Sequence, residues 1–79
     1  MIRILCFAEI GERLGKSINI TAGENLSISS LRQLLCDQYP ECKELIETCL
    51  IAVNQEYANE DTVVGAKDEV ALIPPISGG

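Results

Sequence analysis

No histidine and no tryptophan occur in this 79-residue sequence. Without His the chain lacks the side chain that most often serves as a general base or a metal ligand near neutral pH. Phe7, Tyr39 and Tyr57 are its only aromatic residues, too few to build a platform for stacked bases. Cations are scarce as well: six Lys and Arg stand against twelve Asp and Glu, a formal charge of -6. An acidic surface repels a phosphate backbone, which argues against nucleic-acid binding. No apolar run reaches the ~20 residues that span a bilayer, so no membrane partner is expected. The start, Met1 to Ala8, carries Arg3 inside its apolar stretch and has the pattern of neither a signal nor a transit peptide. A cytoplasmic protein is the expectation.

Four cysteines are present, Cys6, Cys36, Cys42 and Cys49. None forms a C-x-x-C pair, and no His could complete a mixed zinc site. In a reducing compartment they read as free thiols. Cys6 and Cys36 fall at buried positions, and Cys42 and Cys49 at partly exposed ones. Neither a metal nor a cofactor is expected. What the sequence does have is apolar residues, 47% of the chain, enough for the core of one small domain and too many for a disordered segment.

Those apolar residues follow two periods. Ile2, Ile4 and Cys6 alternate with Arg3, Leu5 and Phe7, the period of a strand. Glu9 to Leu14 reads as a short helical turn ended by Gly15. Ser17 to Thr21 alternates again through Ile18 and Ile20, and Ala22 to Leu26 reads as loop. Ser27 suits the N-cap of a helix running to about Tyr39, with Ile28, Leu31, Leu34 and Leu35 along one face. Pro40 ends it. Glu41 to Thr48 predicts a shorter helix with Leu45 inward and Glu41, Glu44 and Glu47 outward.

Leu50 to Asn54 predicts a strand and Gln55 to Asp61 a polar, turn-rich segment. Thr62 to Val64 reads as a short extended piece or a tight turn. Gly65-Ala66-Lys67-Asp68 turns the chain into a last strand from Glu69 to Ile73. Strand, strand, helix, strand, turn, strand is the order of an α+β, β-grasp (ubiquitin-like) fold, a mixed sheet with one main helix across one face. A ferredoxin-like split βαβ arrangement would need a second full crossover helix, which Glu41 to Thr48 is too short to supply. The domain is expected over residues 1–75, with residues 76–79 as an extended, flexible tail.

The ending Pro74-Pro75-Ile76-Ser77-Gly78-Gly79 carries the chemistry. Two prolines fix φ and make a stiff exit from the last strand. The small residues after them can thread a narrow channel, reaching about 14 Å at the extended spacing of up to ~3.6 Å per residue. A terminal carboxylate with a pKa near ~3.5 is ionised and a poor electrophile until something activates it.

This ending, with Ala52-Val53-Asn54, Asp68-Glu69-Val70-Ala71-Leu72-Ile73 and the opening Ile4-Leu5-Cys6-Phe7-Ala8-Glu9, resembles the small, sulfur-carrying subunit family of molybdopterin synthase over essentially the whole chain. The family's usual Arg-Glu pair after the first strand is Gly11-Glu12 here, so the ion pair that such an Arg would make is not carried over. Its usual Asp-Gly-Asp turn is Ala66-Lys67-Asp68, a change in turn chemistry alone.

The resemblance implies a sulfur carrier. Gly79 would be adenylated by an ATP-dependent, ubiquitin-activating-like enzyme and converted to a thiocarboxylate by a sulfurtransferase or cysteine desulfurase. The tail, threaded past Gly78, would enter the large synthase subunit of a 2:2 heterotetramer and pass sulfur to cyclic pyranopterin monophosphate, building the molybdopterin dithiolene. The chain would be a non-catalytic sulfur donor. The alternatives are a carrier for thiamin synthesis or tRNA thiolation, a modifier joined to lysines, and an adaptor with an inert tail.

Phe7, Tyr57 and Ile73, with Ala52 and Ala71 between them, predict an apolar docking patch on the sheet face away from the helix. Pro74, Pro75, Ile76 and Ser77 would extend that interface along the tail. Glu56, Glu60 and Asp61 read as a solvated loop rather than a metal or acid–base site. Ser77 has no base beside it and reads as a polar spacer.

Overall fold

Alternating Ile residues build the first layer. In a computed structural model, which describes residues 1–21 and 25–75, β1 (Ile2–Cys6) buries Ile2, Ile4 and Cys6 and turns Arg3 outward. It pairs antiparallel with β2 (Ser17–Ile20), matching Ile4 to Ile18 and Ile2 to Ile20. Helix α1 (Ala8–Leu14) makes the connection, anchored by the buried Ile10.

The short β3 (Leu26–Ser27) leads directly into α2 (Ile28–Gln38). Ser27 caps α2 as expected, its Oγ accepting from the Ser30 N–H at 3.2 Å, which satisfies one of the donors a helix start leaves open. Ile28, Leu31, Leu35 and Cys36 face inward. Pro40 opens a 3-10 turn over Pro40–Cys42, followed by α3 (Lys43–Thr48).

The chain returns through β4 (Leu50–Val53), β5 (Glu56–Tyr57), β6 (Val63–Val64) and β7 (Val70–Ile73). Among the described residues one sheet runs β2-β1-β7-β4-β5, and β3 pairs with β6 apart from it. β7 lies parallel to β1 and antiparallel to β4. The last strand therefore occupies the centre of the sheet. α2 packs across one face, and the result is the β-grasp arrangement that the element order implies. Among the described residues, full burial of twelve large aliphatic side chains, each worth about 1.5–3 kcal/mol, supplies the stabilising term of so small a domain.

Four local expectations need correction. Ile46, not Leu45, is the fully buried residue of α3, because the 3-10 turn resets the helical phase so that Cys42, Ile46 and Cys49 point inward. Cys42 and Cys49 are accordingly buried rather than partly exposed. The segment after Asn54 is not wholly irregular. Asn54 and Gln55, at φ 52° and 71°, form the turn of a tight hairpin that makes Glu56–Tyr57 an edge strand, with Ala52 opposite Tyr57. Leu26, read as loop, pairs with Val64.

Arg32 ties these parts together. Its guanidinium donates to the carbonyls of Ile46 and Cys49 at 2.8 Å each and makes a two-pronged pair with Glu60. It thus caps the end of α3, where carbonyls lack partners, and holds the 59–62 loop against α2. Hydrogen bonding to Arg32 holds the Glu60 carboxyl below its usual value.

Candidate functional site

The strand period that fills the core also sets the opposite face. Leu5 on β1, Ala71 and Ile73 on β7, Leu50 and Ala52 on β4 and Tyr57 on β5 alternate with core residues and fall on the side that α2 leaves uncovered. Phe7 extends this row past the end of β1, its N–H donating to the Leu72 carbonyl at 3.2 Å. Ala8, at φ 51°, turns the chain there into α1.

Phe7, Ala52, Gln55, Tyr57, Glu69, Ala71 and Ile73 line one open depression of about 370 Å³. Its floor is small: Ala52 and Ala71 are only 7% and 8% exposed. Its walls are large and project, with Phe7 48% and Tyr57 72% exposed. The sequence reading placed Phe7, Tyr57 and Ile73 on one patch around these two alanines, and the fold brings all five together. Gln55 and Glu69 complete the rim. Both were missed, because their place depends on the hairpin turn at Asn54.

Of the proline pair, Pro74 is buried and Pro75 exposed. Pro74 thus belongs to the packed domain, and Pro75 lies at its surface. Ile76, Ser77, Gly78 and Gly79 lie outside the described residues.

Gly11 explains the departure at that position. A Cβ there would meet the Cys6 carbonyl oxygen at 2.7 Å and its carbon at 3.2 Å. α1 lies against the end of β1 more closely than any side chain at residue 11 would allow.

Three of the four thiols are unreactive. Burial pushes the Cys49 thiol up to about 11 and raises those of Cys6 and Cys36, so near neutral pH these three are protonated and poor nucleophiles. Among the described residues no group of three or more His, Cys, Asp or Glu is placed to hold a metal ion, and no helix is long and apolar enough to cross a membrane. The arrangement is suited to docking, with a concave apolar trough beside the point where the chain leaves the sheet.

Comparison with known proteins bears on what the chain does. A family model described as ThiS family matches residues 4–79. A Dictyostelium discoideum protein named molybdopterin synthase sulfur carrier subunit is 39% identical, covering 98% of this chain and 94% of its own. The Escherichia coli protein of the same name is 33% identical over the whole of both chains. Among solved structures, a complex of subunits 1 and 2 of molybdopterin-converting factor from Helicobacter pylori contains a chain similar to this one, with a TM-score of 0.69, 26% identity and coverage of 99% and 97%. A small archaeal modifier protein from Haloferax volcanii has a TM-score of 0.80 at 22% identity, covering 99% of this chain and 98% of its own. At that identity the likeness is one of fold.

Proposed function

This chain belongs to the ThiS family, and from that premise we propose that it is the sulfur carrier subunit of a molybdopterin synthase. One observation carries the reading: a relative bearing that name aligns with it over the full length of both chains, Gly78-Gly79 included.

On this reading residues 1–75 are a rigid holder and residues 76–79 a tail that does the chemistry. The Gly79 carboxylate is ionised and inert on its own, with a pKa near ~3.5. An adenylating enzyme of the ubiquitin-activating type joins it to AMP from ATP and releases pyrophosphate. The persulfide of a sulfurtransferase or cysteine desulfurase displaces AMP, and a thiol reduces the resulting acyl disulfide to leave the thiocarboxylate. The large subunit then receives the tail, in a 2:2 assembly, and directs the sulfur to cyclic pyranopterin monophosphate.

The carrier presents and the partner catalyses. The lack of His and the raised pKa of three of the thiols support that division. The trough lined by Phe7, Tyr57 and Ile73 is the docking surface for these partners, with Pro75 at its exit. Gly78 lets a channel wall approach the tail where a Cβ would obstruct it.

The test is the intact mass of the chain isolated from cells. A thiocarboxylate adds about 16 Da to the ionised carboxylate it replaces. The heavier species is expected in the wild type and absent when Gly79 is deleted, with the melting temperature unchanged. Conjugates to lysines of other proteins and no mass shift would instead make the chain a modifier.

A further inference from the structure

Ala52-Val53-Asn54 and Asp68-Glu69 meet in the fold. Asn54 stands at the turn between β4 and β5, and Asp68 ends the turn before β7. The Asn54 Nδ2 donates to Asp68 Oδ1 at 3.0 Å, and the Glu69 N–H donates to Asn54 Oδ1 at 3.0 Å. The Asn54 N–H donates to the Glu69 carbonyl at 2.7 Å. The second Asp68 oxygen accepts from the Gly65 N–H at 2.8 Å. Both oxygens of the carboxylate and both ends of the amide are thus engaged, and the two turns are locked to each other.

The lock has a local reason to exist. β5 is a two-residue edge strand, and its turn holds Asn54 and Gln55 at positive φ. Side chains disfavour that region, Asn less than most. A hairpin so short is marginal by itself, yet it carries Tyr57, one wall of the trough, and Gln55, part of its rim. The other end of the lock lies at the start of β7, the strand that supplies Ala71 and Ile73 to the same trough.

We propose that Asn54 and Asp68 are positioning residues, a clamp that holds the Tyr57 hairpin in place against β7 so that the docking trough is already formed before a partner arrives. The inference rests on the reading of that trough as the surface that meets the synthase large subunit. Preorganisation of this kind raises affinity by removing the ordering cost of binding, without adding a contact to the partner.

Asn54→Asp tests it with almost no change of shape. Asp tolerates the left-handed backbone nearly as well as Asn, but it sets one carboxylate against another. Asp68→Asn breaks the lock from the other side, and the double exchange Asn54→Asp with Asp68→Asn restores an amide facing a carboxylate, with the roles reversed. Two measurements are made on the four proteins. The first is hydrogen exchange of the Ala58 N–H, which donates to the Ile51 carbonyl across the hairpin. The second is affinity for the purified large subunit by calorimetry.

Loss of one or two such bonds should speed the exchange about tenfold and weaken binding about tenfold in Asn54→Asp, with both restored in the double exchange. Exchange that stays at the wild-type rate in Asn54→Asp overturns the clamp. Exchange that rises while affinity holds overturns its role in docking. If the wild-type chain itself fails to bind the large subunit, the partner reading falls, and the exchange rates still decide whether the clamp exists.

Discussion

The two faces of the central sheet are written by the same strands and differ in what covers them. On one, Ile4, Ile51, Val70 and Leu72 are sealed beneath α2 at 2% exposure or less. On the other, Ala52 and Ala71 are almost as well buried with no layer above them among the described residues, because Phe7, Tyr57 and Ile73 stand around them. Burial on the first face comes from complementary packing. On the second it comes from unequal side-chain size, small residues in the floor and large ones in the walls. A residue can thus be inaccessible to water and still belong to a surface, and large exposed neighbours of this kind are the feature on which the proposed docking rests.

Exchanging a side chain on each face should separate the two. The largest effect belongs to the covered face. Leu35→Ala should cost about 2–5 kcal/mol of stability, measured by urea unfolding, since Leu35 is fully buried and the cavity can close only in part. Affinity for the large subunit, measured below the unfolding transition, should be unchanged. On the open face the order reverses. Phe7→Ala or Ile73→Asp should cost about 2 kcal/mol or more in binding and little in unfolding. Equal losses in both measurements would erase the distinction between the faces.

A fourth substitution probes the seam where both faces end. Gly11→Ala gains roughly 1 kcal/mol of helix propensity and forces a Cβ to within 2.7 Å of the Cys6 carbonyl oxygen. Overpacking against backbone typically costs about 1–3 kcal/mol, so a net loss of about 1 kcal/mol is expected. A more stable Gly11→Ala protein would show that α1 can move away freely.

The smallest effect is on pH dependence. Glu60 is held below its usual value by Arg32, and Asp68 by Asn54 and the Gly65 N–H. Each carboxylate is more easily ionised folded than unfolded. Its contribution is therefore full above the unfolded pKa and is lost as pH falls through the lower, folded one. Stability should decline on acidification below about pH 4.5, the region of an ordinary glutamate, and Glu60→Gln should flatten part of that decline. An unchanged slope would mean that Arg32 stabilises the fold through the two carbonyls it caps.

Where one residue type at one spacing dictated the outcome, the sequence was legible. The Ile2-Ile4-Cys6 alternation, the Ser27 cap, the break at Pro40 and the turn before β7 each follow from local chemistry, and from them the fold and five residues of the trough. Leu45 was misassigned because a 3-10 turn shifts the phase of the next helix, and phase cannot be counted across a change of helix type. β5 escaped because an Asn-Gln pair lacks the glycine that usually announces a tight hairpin, and the contact holding it comes from Asp68, fourteen residues along the chain. Gln55 and Glu69 were hidden with it.

The central place of β7 bears on when this molecule becomes competent. β7 is made after every other strand, yet β1 and β4 meet only through it. Until it emerges from the ribosome the sheet is two unconnected hairpins, β2 with β1 and β4 with β5, and two-stranded pieces are marginal in water. Closing β1 against β7 joins residues 4 and 70, a long-range step of the kind that slows folding. The trough therefore comes into being in one late event, and a chain whose synthesis stops short of β7 lacks it.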